Sequence, residues 1–248
     1  MSHVVGVDVG GTYTDIVVVD EASQRLETRK IATTVHDPSV ALLRGLQGLV
    51  HGSEIDQFVH GTTVATNAVL QRQGAKCGLI TTRGFRDILE LRRRDRPHAY
   101  GLTGSFEPLI PRNRRLEVTE RMTASGDVHS ALCEDELRQA ANVLIGHEVQ
   151  AIVISFLNSY RNPQHELRAQ AIVERACPDV FVVAASEVLP VIREFERTST
   201  AVVNAYVQPV LAGYLGNLRE QLNSSGYQRD LLVMQSTGGV VPSRVLDK

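Results

Sequence analysis

The sequence has no tryptophan, only three cysteines, no excess of basic residues and no long apolar run. Each shortage narrows what the chain can be. Cys77, Cys133 and Cys177 lie far apart and form no CxxC pair, so they read as core residues rather than as a metal or disulfide framework. A reducing, cytoplasmic setting is therefore expected. The 26 Lys and Arg against 28 Asp and Glu leave a net charge of −2; without a basic field, nucleic acid is not an expected partner. No stretch approaches the roughly 18 uninterrupted apolar residues of a membrane span. The start, MSHVVGVDVG, has no cationic segment leading into an apolar run and cleavage site, so neither a membrane nor a signal peptide is expected. What is present is a chain of 248 residues, 43% hydrophobic, which is long enough for a core of one or two domains.

Residues 4–9 and 16–19 read as two strands, almost continuously apolar and so expected to be buried on both faces. Gly10-Gly11 between them suits a tight hairpin, since glycine accepts positive φ. Residues 25–32 form a more polar third strand. Asp37-Pro38 has the form of a helix cap followed by proline at the first helical position, and Leu42, Leu46, Leu49 and Val50 share the face of that helix. Strand and helix then alternate: a strand at 57–60, a helix capped by Thr62 or Thr63 and running to Arg72, and a strand at 77–81. Residues 83–130 are irregular and rich in arginine and proline, and are expected to be an insertion of loops and short strands. Leu137, Ala140, Ala141 and Leu144 mark a helix. Residues 150–157 form a buried strand, Asn162-Pro163 caps another helix, and 180–184 are a further strand. A long helical stretch, 190–222, is interrupted by Pro209. A fresh strand at 231–235 precedes Ser236-Thr237-Gly238-Gly239. The pattern predicts a layered α/β fold, with a first lobe at 1–189, an interlobe helical segment at 190–229 and the start of a second, truncated lobe at 230–248.

Four segments carry candidate chemistry. In Asp8-Val9-Gly10-Gly11-Thr12-Tyr13-Thr14-Asp15, the glycines would let backbone N–H groups approach a polyphosphate as an anion nest. The Thr12 and Thr14 hydroxyls would add donors, and Asp8 would hold Mg²⁺ directly or through water. An ordinary hairpin whose glycines only make the turn fits the same residues. His60-Gly61-Thr62-Thr63, with Asn67 beyond, joins a strand end to a helix start, where open α/β sheets place ligands. There His60 would donate to a substrate oxygen or shuttle a proton; a buried, backbone-satisfied histidine is the alternative. Arg83, beside Gly84, opens an arginine-rich run to Arg96 that suits carboxylates or phosphates or, with Asp87, Glu90 and Asp95 interleaved, surface ion pairs. In 193–198, Glu194 and Thr198 would share one helical face and Arg193 and Arg197 another, lining a cleft or only solvating a helix.

Taken together, VGVDVGGTYTD, VHGTTVATNAVL, GLITTRGFRDILEL, SFLNSYRNP, SEVLPVIREFERTSTAVVNAYVQP and VMQSTGGV resemble the hydantoinase A/5-oxoprolinase/acetone carboxylase family, in that family's order and over nearly the whole chain. The resemblance implies the actin/hexokinase-type fold, with two RNase-H-like lobes closing on ATP. It implies an A-type subunit that uses ATP and Mg²⁺ to activate an amide or ketone oxygen as a phosphate ester, alongside a B-type subunit. Ring hydrolysis, as in hydantoinases and oxoprolinases, is the expected outcome; carboxylation of a ketone is the alternative. Carried over by residue, Asp8 would be the metal-side acid and Gly10, Gly11, Thr12, Tyr13 and Thr14 the first phosphate loop. His60, Gly61, Thr62, Thr63, Asn67, Arg83 and Arg197 would face the substrate. Thr237 stands where some members have an acid. The family's second phosphate loop and adenosine-binding segments are expected beyond this sequence, so the isolated chain is expected to lack ATPase activity. Two other readings fit the same residues: a sugar kinase, for which no sugar-binding acid stands out, and a non-catalytic assembly lobe.

Overall fold

The computed structural model describes residues 3–34, 38–93, 95, 98, 100–101, 104 and 106–247. Backbone contacts divide the chain into two compact units, residues 1–73 with 210–248, and residues 74–209. This division differs from the expected boundaries at 189/190 and 229/230.

In chain order, the first unit opens with strands β1 (His3–Val9), β2 (Tyr13–Asp20) and β3 (Arg25–Ala32), helix α1 (Pro38–Leu46), strand β4 (Ile55–Thr62) and helix α2 (Val64–Leu70). The expected cap at Asp37 lies outside the described residues. The second unit contributes β5 (Cys77–Thr82), α3 (Ile88–Leu91), β6 (Arg115–Val118), β7 (Arg121–Met122), β8 (Val128–Ser130) and α4 (Glu134–Gly146). It continues with β9 (Ala151–Ser155), α5 (Gln164–Ala176), β10 (Phe181–Ala184) and α6 (Ala185–Val188). Helix α7 (Glu194–Ser224) runs unbroken through Pro209, and the division between units falls within it; β11 (Leu231–Met234) and β12 (Val240–Pro242) follow. A proline there removes one helical hydrogen bond, a loss of roughly 3 kcal/mol, and the helix continues nonetheless.

The first unit is built on a six-stranded sheet in the order β12-β11-β4-β1-β2-β3. β1, β2 and β3 are antiparallel neighbours, whereas β4 pairs parallel with β1 and β11 pairs parallel with β4. Val5, Val7 and Val9 alternate inward with Ile16, Val18, Phe58 and Val233 and pack with Leu42 of α1 and Leu215, Leu218 and Leu222 of α7. Each such side chain contributes about 1.5–3 kcal/mol by leaving water. Burial on both faces of β1 was expected, but the other face carries Val4, Gly6 and Asp8, half-buried or exposed. The position of β11 corrects a second expectation. Rather than standing at the start of another lobe, it takes the free edge of β4, with Leu231, Leu232 and Val233 opposite Phe58, Val59 and His60. Residues 235–239 then turn tightly into β12, closed by Gln235 N–H donating to Gly239 O at 2.8 Å.

The second unit holds a parallel sheet, β10-β9-β5-β6. β5 and β9 are buried at every position, as expected of central strands covered on both faces. Leu137, Ala140, Ala141 and Leu144 of α4 pack there with Ala169, Ile172 and Val173 of α5. The expected insertion at 83–130 contains a member of this sheet, β6, whose apolar pattern is masked by Arg115. That guanidinium is fully buried, donating to Ile110 O at 2.8 Å and Glu90 Oε1 at 3.0 Å. Among the described residues, no helix is long and apolar enough to cross a membrane.

Candidate functional site

The tip between β1 and β2 is held from inside. Gly10 N–H donates to Tyr13 O at 3.0 Å, and Thr33 N–H donates to Thr12 O at 2.9 Å. The Thr33 hydroxyl donates to Gly10 O at 2.9 Å and lies 2.9 Å from the Thr14 hydroxyl. Thr14 is fully buried, so its expected role as an outward donor gives way to one inside the turn. Thr12 and Tyr13 are exposed, with Lys30 Nζ 5.4 Å from the Tyr13 ring centre. A Cβ at Gly10 would stand 3.0 Å from Tyr13 O, which explains glycine there; one at Gly11 would reach only Asn67 Nδ2, at 3.7 Å. No backbone partner occupies the Gly11 or Thr12 N–H among the described residues, so the tip can present donors to an anion.

Asp8 is exposed on the face opposite the core, level with Asp15 on β2 and Gly61 on β4. Asp15 is paired with Lys30 at 2.9 Å. A Cβ at Gly61 would come within 3.1 Å of Asp8 Oδ1, so that glycine clears space for the carboxylate. No group of three or more His, Cys, Asp or Glu side chains suited to a metal occurs among the described residues. One carboxylate suits Mg²⁺, which keeps water and phosphate oxygens as its other ligands.

β1 and β4 run side by side and end together, which brings the second motif to the hairpin tip. The Thr62 hydroxyl accepts from Val64 N–H at 3.2 Å and so starts α2; Thr63 occupies the cap position without a side-chain cap bond. Asn67 Nδ2 donates to Thr63 Oγ1 at 3.2 Å. Gly10, Gly11, Thr63 and Asn67 thereby line one cavity of about 370 Å³, which Tyr214 and Asn217 of α7 also line.

His60 does not line that cavity. It shares the inward parity of Phe58, is fully buried, and its Nε2 lies 2.9 Å from the Tyr214 hydroxyl. Its Nδ1 has no formed hydrogen bond. Burial holds the imidazole pKa down to about 4, offset in part by the Val7 backbone. His60 is therefore neutral at neutral pH, and the group it supports at the cavity is Tyr214. Sequence reasoning missed Tyr214, Asn217 and Thr33. The available signal was weak: Tyr214 and Asn217 are polar positions three apart in a helix otherwise marked by Leu211, Leu215 and Leu218.

Arg83 and Arg197 belong to the second unit. Arg83 is largely exposed and pairs with Glu136 at 2.9 Å, while Asp87 pairs with Arg112 at 2.8 Å. Glu136 also accepts from Thr119 N–H at 2.7 Å, and these donors hold its carboxyl below the usual range. Arg197 is fully buried, donating to Val191 O and Phe156 O at 2.9 Å each, a role in joining backbone segments. Arg193, expected on its helical face, precedes α7 and has φ +82°.

The family described as "Hydantoinase/oxoprolinase N-terminal region" matches residues 4–177, and that described as "Hydantoinase/oxoprolinase" matches residues 197–248. The caprolactamase subunit alpha of Pseudomonas jessenii is 36% identical over 253 residues, covering 97% of this chain and 36% of that protein. The 5-oxoprolinase of Saccharomyces cerevisiae is 28% identical over 282 residues, covering 96% and 22%. The crystal structure of the ATP-dependent caprolactamase superposes with a TM-score of 0.89 at 37% identity, covering 97% of this chain and 36% of that one. Nucleotide-free acetone carboxylase gives a TM-score of 0.85 at 30% identity, covering 98% and 37%. The chain spans little more than a third of the length of the caprolactamase relative. Together, the matched regions and the shared mixed α/β fold show that the chain belongs to the hydantoinase/oxoprolinase family.

Proposed function

We propose that this chain is part of an A-type subunit that uses ATP to activate the carbonyl oxygen of a small amide or ketone, working with a B-type subunit. The observation that carries the reading is the convergence of Gly10 and Gly11 with Thr63 and Asn67 around one cavity at the shared ends of β1 and β4. Phosphoryl transfer depends mainly on positioning and charge neutralisation, and this arrangement sets a donor-bearing turn beside a polar cavity. The three antiparallel strands followed by parallel β4 and β11 also support an RNase-H-like lobe of the actin/hexokinase type, into which residues 74–209 are inserted.

In this reading the Gly11 and Thr12 N–H groups would hold phosphate oxygens, and Asp8 would hold Mg²⁺. Bound ATP supplies the phosphoryl group that turns the carbonyl oxygen into a leaving group. Thr33 keeps the tip in shape through Gly10 O, and Asn67 and Tyr214 orient the carbonyl compound. Arg83, in the other unit, is assigned to the substrate only by resemblance, and the buried Arg197 to structure.

The test uses the full-length A-type chain with its B-type partner and a lactam labelled with ¹⁸O at the carbonyl. Activation through oxygen predicts label in the inorganic phosphate released. ATP hydrolysis with all the label left in the organic product would overturn it.

A further inference from the structure

We propose that Lys30 is a further catalytic residue of this site: its ammonium, held over β2 by Asp15 and the Tyr13 ring, meets the terminal phosphate of the nucleotide. The assignment rests on the ATP-dependent reading above and adds a side-chain cation to it.

Phosphoryl transfer requires positive charge at the phosphate oxygens, and the backbone donors of a turn carry only partial charge. The described residues that line the tip cavity include no lysine, arginine or histidine. The charge lies on the other face of the hairpin. Register places Gly61, Asp8, Asp15 and Lys30 side by side across β4, β1, β2 and β3. Asp8, Tyr13 and Lys30 are exposed on the face opposite the core. The end of β3 is tied to the tip itself, since Thr33 N–H donates to Thr12 O. Lys30 is the one lysine among the described residues of the first unit.

Two features separate this lysine from an ordinary surface pair. Like charges directly opposite on antiparallel strands are destabilising, yet Asp8 and Asp15 face each other in that way. Lys30 offsets the charge of Asp15 and leaves the Asp8 carboxylate open. The second feature is direction. A lysine on an edge strand discourages pairing with another chain, but that role needs an ammonium in water, whereas this one is turned inward. Lys30 Nζ lies 2.9 Å from each carboxylate oxygen of Asp15 and 5.4 Å from the Tyr13 ring centre. Its side chain therefore leans from β3 across β2, towards Asp8 and the tip. An ammonium has three donors, and the two oxygens of Asp15 leave one for a phosphate oxygen. Lysine suits this task as a compact point charge. Asp15 touches no nucleotide; it is a positioning residue that acts through Lys30.

Titration calorimetry on the full-length A-type chain with its partner subunit compares Mg-ATP with Mg-ADP, which lacks the terminal phosphate. Lys30→Met keeps a stem against the Tyr13 ring and removes the charge. It should weaken Mg-ATP binding on the order of tenfold and leave Mg-ADP binding unchanged, while turnover falls on the order of 100-fold. Lys30→Arg should restore part of both losses. Asp15→Asn loosens the ammonium without removing it and should cost less than Lys30→Met. An exposed ion pair shifts the folding equilibrium by no more than about fivefold, so urea unfolding should find Lys30→Met folded like the parent. Equal losses for Mg-ATP and Mg-ADP, or unchanged binding and turnover in Lys30→Met, would overturn the assignment. So would Asp15→Asn proving as damaging as Lys30→Met with no rescue by Lys30→Arg, the outcome expected of a purely structural pair. The activation reading is scored separately by the ¹⁸O experiment. Selective loss of Mg-ATP binding in Lys30→Met without ¹⁸O in the phosphate sinks activation and leaves Lys30 standing, whereas ¹⁸O transfer at full rate in Lys30→Met does the reverse.

Discussion

His60 offers a quantitative test because its imidazole is fully buried and neutral. Its pKa falls from 6.5 in the unfolded chain to about 4 in the folded one, chiefly through burial. Below pH 6.5 the unfolded chain binds a proton that the folded chain refuses. Acid therefore stabilises the unfolded state, and the His60 contribution to stability is complete above the unfolded pKa and declines as pH falls towards the folded pKa. Each pH unit inside that window corresponds to about 1.4 kcal/mol. Between about pH 7 and about pH 5, the loss attributable to this residue is about 2 kcal/mol. Carboxylates titrate too, so the measurement is a difference: urea unfolding of the chain and of its His60→Gln variant at both pH values. The variant is expected to be less stable near pH 7, with a gap that closes or reverses near pH 5. A gap that stays constant would mean that His60 is hydrated or charged when folded, and would remove the buried prop beneath Tyr214.

Other substitutions separate the turn, the buried arginine and the exposed one. Gly11→Ala leaves the fold intact, because its Cβ meets only Asn67 Nδ2 at 3.7 Å, yet ATP turnover of the complete enzyme should fall, and fall further in Gly11→Val; full activity in both would remove this turn from phosphate binding. Arg197→Ala should destabilise the chain by about 3 kcal/mol, since two carbonyls lose a buried charged donor, as read by the shift in the urea midpoint; a normal midpoint with lost turnover would return Arg197 to the substrate. Arg83→Ala should shift stability by less than about 0.5 kcal/mol, because its bond to Glu136 is exposed, and any fall in lactam-stimulated turnover without a stability change would support its substrate assignment.

Local chemistry made much of the first unit legible. The β1–β2 hairpin, β4 and the start of α2 follow from apolar strands, paired glycines and a threonine at the strand–helix join. The face of His60 was also readable, since it lies two residues from Phe58 and strand side chains alternate. Expecting it to reach a substrate set that parity aside. Arg115 and Arg197 misled for a different reason: arginine is rarely fully buried, and the carbonyls that satisfy these two become neighbours only after folding. The pairing of β11 with β4 was beyond local pattern, because the two strands are separated in sequence by the whole second unit. Tyr214 became a site residue only once α7 lay along the same cavity as the hairpin tip.

The second unit begins and ends at almost the same place. Ala75 N–H donates to Tyr206 O at 2.8 Å, and a side chain at Gly74 would strike the Tyr206 ring. For the sheet that must join β4 to β11, residues 74–209 are thus a tied knot of chain rather than a slack tether. Closing a loop costs only about 0.6 kcal/mol more for each doubling of its length, and a folded segment with adjacent ends costs less than free chain would. On the ribosome the order of assembly follows. Residues 74–209 are contiguous and can collapse as soon as they emerge, while the first three strands and β4 wait with one sheet edge bare. The β4 edge is covered only when β11 is made, so the completed cavity is a late product of synthesis.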